Sequence, residues 1–384
     1  MIETVKNTLL NTTIFGLFLL VGFVALFILR LIYLFVFTGK ILLRRNNKTV
    51  EKSNIPISLL MTVRNEESKL KDNLPKILEI ENSEFEIVVI DDFSHDSSLT
   101  VLGLLREKNK KLIVSSLSQE TRFSNKLALN IALKAAKNEW AMVVPVSVSD
   151  FETDWLPTIT GHLDKTQILI NYSNIKNTGT VFNHLFRIES FLQQVKSNGF
   201  VLNGFPFVYS DENVAFKKEK YFEMGGFGQK INEPFANLEL LINTFIKKKS
   251  TKICFKKESA IHKKELVNKT DYFELLKKSF RIEKHLFFSK RIVLFIEEFT
   301  HLLFLPAIIL VIVFLTELWF IIGVLISLII IAHLLIIKII LNRLCERKIF
   351  ISSLVYGLVI PYFKFFYRWH FNQKSRKQKW RSKV

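Results

Sequence analysis

The chain has 384 residues, 49% of them hydrophobic with 36 Phe, a mean hydropathy of +0.23 and a formal charge of +19. Its length allows one large core or two smaller ones, and its apolar fraction is too high for a purely soluble protein. Two distant cysteines exclude a disulfide framework, eight scattered His exclude a structural zinc site, and no RNA- or DNA-binding signature accompanies the basic excess.

Apolar residues crowd into 9–37 and 292–363, whereas 44–290 has ordinary globular composition. This pattern predicts a soluble domain between membrane-embedded ends. The uncharged run from Asn7 to Leu29 is long enough to span, and it continues through LIYLFVFTGKILLRR without a cleavage site, as a retained anchor does. Arg44, Arg45 and Lys48 place its far end in the cytoplasm.

Next in the chain, IPISLLMTVRNEE (55–67) reads as a buried strand ending in a polar turn, with a helix from about Glu67 to Ile80. FEIVVIDDFSHDSS (85–98) repeats the pattern and ends in two carboxylates, Asp91 and Asp92; LIVSSL (112–117) is a third strand. Alternating strands and helices predict a doubly wound, mostly parallel α/β sheet, in which ligands bind at the carboxyl ends of the strands. The aspartate pair suits the N–H of a base or the hydroxyls of a ribose. It suits equally a helix start capped by Ser94 or Asp96.

Toward the C-terminus, 299–315 and 318–341 form two spans in a tight hairpin. The stretch 349–369 carries Pro361, and from Lys364 to the end of the chain there are eight basic residues and no acid. If the middle domain and this tail are both cytoplasmic, 349–369 lies interfacially or re-enters. The expected organisation is an anchor over 1–43, a soluble domain over 50–290, a membrane region over 291–370 and a basic cytoplasmic tail over 371–384.

ISLLMTVRNEE, EIVVIDDFSHDSS, NKLALNIALKAAKNEW (125–140) and SDENVAFKKEKYFEMGGF (210–227) occur in that order. Together they resemble a family 2 glycosyltransferase domain of the GT-A fold, over about residues 55–290, and the flanking spans suit its membrane-bound members. The resemblance implies that Arg64, Asn65 and Glu66 border the nucleotide and that Asp91 or Asp92 contacts the uracil or ribose of a nucleotide sugar. Lys126 matches a basic residue near the diphosphate, although the residue alone reads equally as a solvated lysine at a helix start. Thr62 stands where the first loop usually has proline.

Three motifs depart from the family. Counted back from Trp155-Leu156, its Asp-x-Asp falls on Val146-Ser147-Val148, which offers no carboxylate to the Mg²⁺ or Mn²⁺ that the resemblance implies as cofactor. Asp150, two residues on, is the remaining candidate ligand; with Glu152 and Asp154 it also reads as a solvated acidic turn. The expected general base is Glu239 in NEPFANLELLINTF (232–245) or Asp211, with Glu212 in reserve. In place of a Gln-x-x-Arg-Trp motif, FELLKKSFRIEKHLFF (273–288) supplies Lys278 and Arg281, the latter as a donor-binding candidate. The lysine-rich stretch 246–278 reads as a positive, membrane-facing surface, or else as charge that replaces a metal.

Two functions are expected from these residues. One is an inverting glycosyltransferase of the inner (plasma) membrane, multi-pass with a cytoplasmic domain, moving sugar from a nucleotide sugar to a lipid-linked or polysaccharide acceptor. The other is a catalytically silent domain that binds nucleotide sugar or glycolipid, or scaffolds a partner subunit. Two or three spans cannot easily enclose a transport pathway.

Overall fold

In the computed structural model the described residues are 13–43, 54–120, 123, 125–164, 166–346 and 348–381, with only the backbone described for Gln229 and 372–381. Asn7 and the basic residues Arg44, Arg45 and Lys48, on which the orientation of the anchor was argued, lie outside them, as do Lys383 and the other tail side chains beyond Phe371. The chain forms two compact units. One comprises Arg45–Leu286 with Arg343–Glu346, and the other the remaining N-terminal and C-terminal segments.

The first unit is built on ten strands: β1 Ile57–Val63, β2 Phe85–Asp91, β3 Leu112–Ser116, β4 Trp140–Val143, β5 Val148–Phe151, β6 Ile168–Asn171, β7 Ser173–Ile175, β8 Val214–Lys217, β9 Thr251–Cys254 and β10 Ile261–Lys263. Seven form one sheet in the order β3-β2-β1-β4-β8-β6-β9, and β5-β10-β7 form a smaller sheet. β1 runs parallel to β2, from Ile57 opposite Phe85 to Val63 opposite Asp91, and parallel to β4 on its other side. β8 is antiparallel to both of its neighbours. The predicted α/β class, a mostly parallel sheet with apolar helices at either end of the chain, is the one observed.

β1 and β2 read as unbroken apolar runs because helices cover both faces of the sheet, so nearly every side chain in them is buried. The helix Glu67–Leu78 buries Leu70, Leu74, Ile77 and Leu78, and Lys126–Ala135 buries Ala128, Leu129, Ala132 and Leu133, a helical stripe in each case. Leu59, Met61, Leu70, Leu74, Ile87, Val89, Trp140 and Trp155 belong to one core cluster. From β1 the chain winds outward through β2 and β3, then crosses to β4 on the opposite side of β1. The crevice at the carboxyl ends of β1 and β4 is therefore a topological switch point, where α/β sheets bind ligands.

In the second unit, four helical segments among the described residues are long and apolar enough to cross a membrane: Ile14–Leu43, Phe288–Phe314, Thr316–Arg343 and Phe350–Phe371. The first contains a π-helical stretch, Tyr33–Gly39, and the Tyr33 hydroxyl donates to the Val293 carbonyl at 2.9 Å. Phe23, Val311, Leu315, Leu318 and Ile322 form a small core, while large side chains such as Phe18, Phe295 and Trp319 are exposed, as lipid-facing residues would be. The last helix is continuous through Pro361, and its length and composition allow a crossing as well as an interfacial position.

Candidate active site

The loops that leave β1 and β2 are stitched together. Asn65, which has a positive φ of 54°, donates its N–H to Ser94 Oγ at 2.9 Å and accepts the N–H of His95 at 2.7 Å. Glu66 N–H donates to Ser98 Oγ at 3.0 Å, and Glu67 N–H to Asp96 at 3.1 Å. Asp96 also accepts the Ser98 N–H at 2.9 Å, at the start of the helix Ser98–Lys108. Of the two candidate caps, Ser94 and Asp96, Asp96 takes the helix-start role.

Both aspartates are buried, 3% and 4% exposed, at the carboxyl end of β2. Asp91 accepts the Ser94 N–H at 3.1 Å through Oδ2, but its Oδ1 and the Oδ1 of Asp92 have no partner among the described residues. Buried oxygens without donors are costly, and a ligand N–H or O–H is the natural relief. Burial pushes the Asp92 carboxyl up, against the pull of Arg64 and with the help of Asp91. Arg64 is exposed and ion-paired with Glu120, and Glu66 pairs with Lys69 at 2.6 Å.

Lys126 opens the helix Lys126–Ala135 and is 2% exposed, so the solvated alternative is not the one realised. Its Nζ donates to the carbonyls of Ile231, at 3.2 Å, and Glu233. Burial pulls its pKa down, opposed by Glu239 and Glu233. The Glu233 carboxylate lies 3.8 Å from Arg281 on the helix Lys269–His285, which the Asn268–Asp271 capping box starts. The structure therefore gathers Lys126 and Arg281 around one turn.

At the other side of β1, the missing-acid triplet is buried: Val146 and Ser147 are 3% exposed and Val148 is inaccessible. Asp150 is exposed in β5 and ion-paired with Lys176 at 3.2 Å. The structure does not bring it together with Asp91 and Asp92, whose strand belongs to the other sheet. Among the described residues, no group of three or more His, Cys, Asp or Glu could hold a metal ion. The donor set around the triplet does not fit a divalent cation, because its carboxylates already hold lysines.

Lys263, at the end of β10, lies directly across from Val148 of β5. Its Nζ is 2.8 Å from Glu212 and 3.7 Å from Glu265. Glu265 accepts the Ser147 hydroxyl, Lys264 N–H donates to the Ser147 carbonyl at 2.9 Å, and Ser173 Oγ donates to Glu212 at 3.0 Å. One helix away, Lys278 pairs with the inaccessible Glu239 at 3.2 Å. Glu239 also accepts the Asn237 N–H at 2.8 Å, and Asp211 accepts the Leu238 N–H at 3.2 Å. Burial pushes Asp211 up to about 8, with Glu239 adding to the shift and Lys278 opposing it. For Lys278 and Lys263 burial pulls the pKa down, but the surrounding carboxylates win and hold both above the ordinary lysine range. Glu212 is likewise held low, by Lys263 against burial.

Candidates Asp211 and Glu239 thus fall in one cluster with Glu212, Lys263 and Lys278, beside the triplet. Lys263 and Glu265 were missed as site residues. The run HKKEL lies within a stretch of lysines that reads as surface, and no residue in it signals burial. That reading is corrected for Lys263, which is buried; Lys278 is partly buried, and Lys247–Lys249 of the same stretch are exposed. Asn213 was missed too. It has a positive φ of 55°, is inaccessible, accepts from Trp155 Nε1 at 3.3 Å and donates to the carbonyls of Tyr172 and Ser259 at 2.8 Å.

This arrangement, a doubly wound sheet with paired aspartates after its second strand, defines a GT-A-type domain, and residues 58–225 match the family model described as Glycosyl transferase family 2. The match covers 168 of the chain's 384 residues. Among solved structures, the chain is similar to the mannosyltransferase PcManGT from Pyrobaculum calidifontis, in complex with GDP-Man and Mn²⁺. The TM-score is 0.53 at 18% identity, covering 90% of this chain and 98% of that one. It also aligns with S. aureus TarS 1-349 in complex with UDP-GlcNAc, at a TM-score of 0.42 and 16% identity over 60% of this chain and 66% of that one. No curated protein matches the sequence.

Proposed function

We propose that this chain is a membrane-bound glycosyltransferase that takes a sugar from a nucleotide-sugar donor and transfers it, with inversion, to a lipid-linked or glycan acceptor. The observation that carries the reading is the pair of buried, unpartnered oxygens of Asp91 and Asp92 at the switch point of a family 2 domain. In this reading they accept from the base or ribose, Asn65 and Glu66 shape the loop beside them, and Arg64 gives up its exposed pairing with Glu120 to approach the donor. Lys126 and Arg281 stabilise the diphosphate, whose charge grows as the nucleotide leaves.

Transfer with inversion needs a base for the acceptor hydroxyl as it attacks the anomeric carbon. Asp211 holds its proton at neutral pH, since burial beside Glu239 pushes it up to about 8. We therefore assign the base role to Glu239, whose Oε2 has no partner among the described residues. The soluble unit is placed in the cytoplasm, where nucleotide sugars are made available, with the basic tail on the same side.

The test is titration of the full chain, purified in detergent, with UDP- and GDP-sugars, followed by an assay for sugar transfer to membrane lipid extract. Binding that Asp92→Asn weakens, together with transfer that Glu239→Gln abolishes, is expected. Absence of nucleotide-sugar binding overturns the reading. Binding without transfer to lipid or glycan supports the silent alternative, which the pairing of Glu212 and Glu239 with lysines near Val146–Val148 favours.

A further inference from the structure

The disagreement between the expected metal and the residues present has a specific form. At the triplet where the family resemblance implies a cation, this chain places an ammonium group of its own. Lys263 faces Val148 across the β5–β10 ladder, and cross-strand partners of this kind lie within about 5 Å at Cβ. Its carboxylate neighbours Glu212 and Glu265 are joined to the triplet and to β7 through the hydroxyls of Ser147 and Ser173. Glu212 is itself fixed at the end of β4 by a bridge to Val143. A lysine with two carboxylates and two supporting hydroxyls is arranged as a bound cation would be, with its charge delivered by a covalent tether.

We propose that Lys263 is the resident cation of this edge, filling the place of a divalent metal, and that the site is metal-independent as a result. Lys278, held by Glu239 in the same cluster, brings the internal positive charge to two, the charge of one divalent ion. That the charge serves the diphosphate of a donor rests on the function proposed above; that it occupies a cation site does not. A lysine is strongly hydrated and costly to bury, so its retention at this depth needs the ring of acids that surrounds it. Removing the side chain while keeping those acids should create a divalent-metal site where none exists.

The experiment is calorimetry of Mn²⁺ against the full chain without nucleotide, comparing wild type with Lys263→Ala, Lys263→Arg and the double variant Lys263→Ala/Glu212→Gln. The expected result is no saturable Mn²⁺ binding by wild type or Lys263→Arg, clear binding and thermal stabilisation of Lys263→Ala, and loss of both in the double variant. Recovery of folded Lys263→Ala only in the presence of Mn²⁺ is the same result in another form. Saturable Mn²⁺ binding by wild type that Glu212→Gln removes overturns the proposal. So does a Lys263→Ala protein that ignores Mn²⁺ or cannot be recovered with it. A parallel titration with UDP- and GDP-sugars separates the two claims, because its failure removes the donor reading and leaves the Mn²⁺ result standing.

Discussion

Among the described residues, Asp91 and Asp92 each keep a buried oxygen without a donor and stand near no lysine of the chain, whereas Glu212 and Glu265 close on Lys263, and Glu239, with one open oxygen of its own, pairs with Lys278. All of these carboxylates stand at one edge of the first unit, on either side of β1. After β2 the fold leaves acids unsatisfied and carries that cost until a ligand arrives, the usual bargain of a binding site. Beyond β4 the fold has already neutralised its acids. Carboxylates at one edge of the sheet are therefore left in different states, one pair with no lysine beside it and the others held by lysines of the chain itself.

The strongest way to break this contrast is Lys263→Met, which fills the space but removes the charge. It leaves Glu212 and Glu265 without a cation, and the expected loss is about 3 kcal/mol, at the low end for a buried pair because Glu212 is partly exposed. A thermal melt of the purified chain at neutral pH measures it. An unchanged melt means that the acids were never dependent on the lysine. At the open end of the crevice, Asp92→Asn should behave in the reverse way. Nucleotide-sugar affinity falls about ten- to hundredfold, from loss of about 1.5–3 kcal/mol in a charged hydrogen bond, while the melting temperature holds or rises. A variant that lost stability and kept affinity would exchange the roles of the two ends.

Asp211 gives a third effect, one that pH reveals. Its folded pKa of about 8 lies above the ordinary carboxylate value, so the folded state binds more protons between those limits. Its favourable contribution is complete below the unfolded pKa and is lost as pH rises through about 8. The slope is at most about 1.4 kcal/mol per pH unit. Asp211→Asn should flatten the fall in stability between pH 5 and 8.5 and leave a more stable protein at the alkaline end, measured by denaturation at a series of pH values. An identical slope in variant and wild type removes the proton from Asp211. The least effect is expected at Asp150→Ala. Its exposed pair with Lys176 is worth about 0–1 kcal/mol, so neither melting nor any Mn²⁺ response should move measurably.

The sheet was legible because its signals are local. ISLLMTV and FEIVVID are apolar over their whole length, which strands covered on both faces require, and each ends in a polar turn at the ligand edge. The helices beside them announce themselves by their apolar spacing, and the membrane segments by length and absence of charge. Asp91, Asp92, Lys126, Asp211 and Glu239 could be singled out because each follows or opens such an element in a family pattern. Which residue starts the helix after β2 could not be read that way, since it depended on Asp96 turning back to Ser98 and Glu67.

By itself the sequence determined the α/β class, the first three strands with the helices between them, the apolar segments and the absence of a carboxylate at Val146–Val148. The tertiary structure alone decided what stands in place of that acid. Lys263 and Val148 are 115 positions apart along the chain and face each other only because β10 returns to pair with β5. A lysine's burial is set by such non-local contacts. Periodicity reports which face of an element is apolar, and it carries no record of which charged residue another strand will bring beneath it.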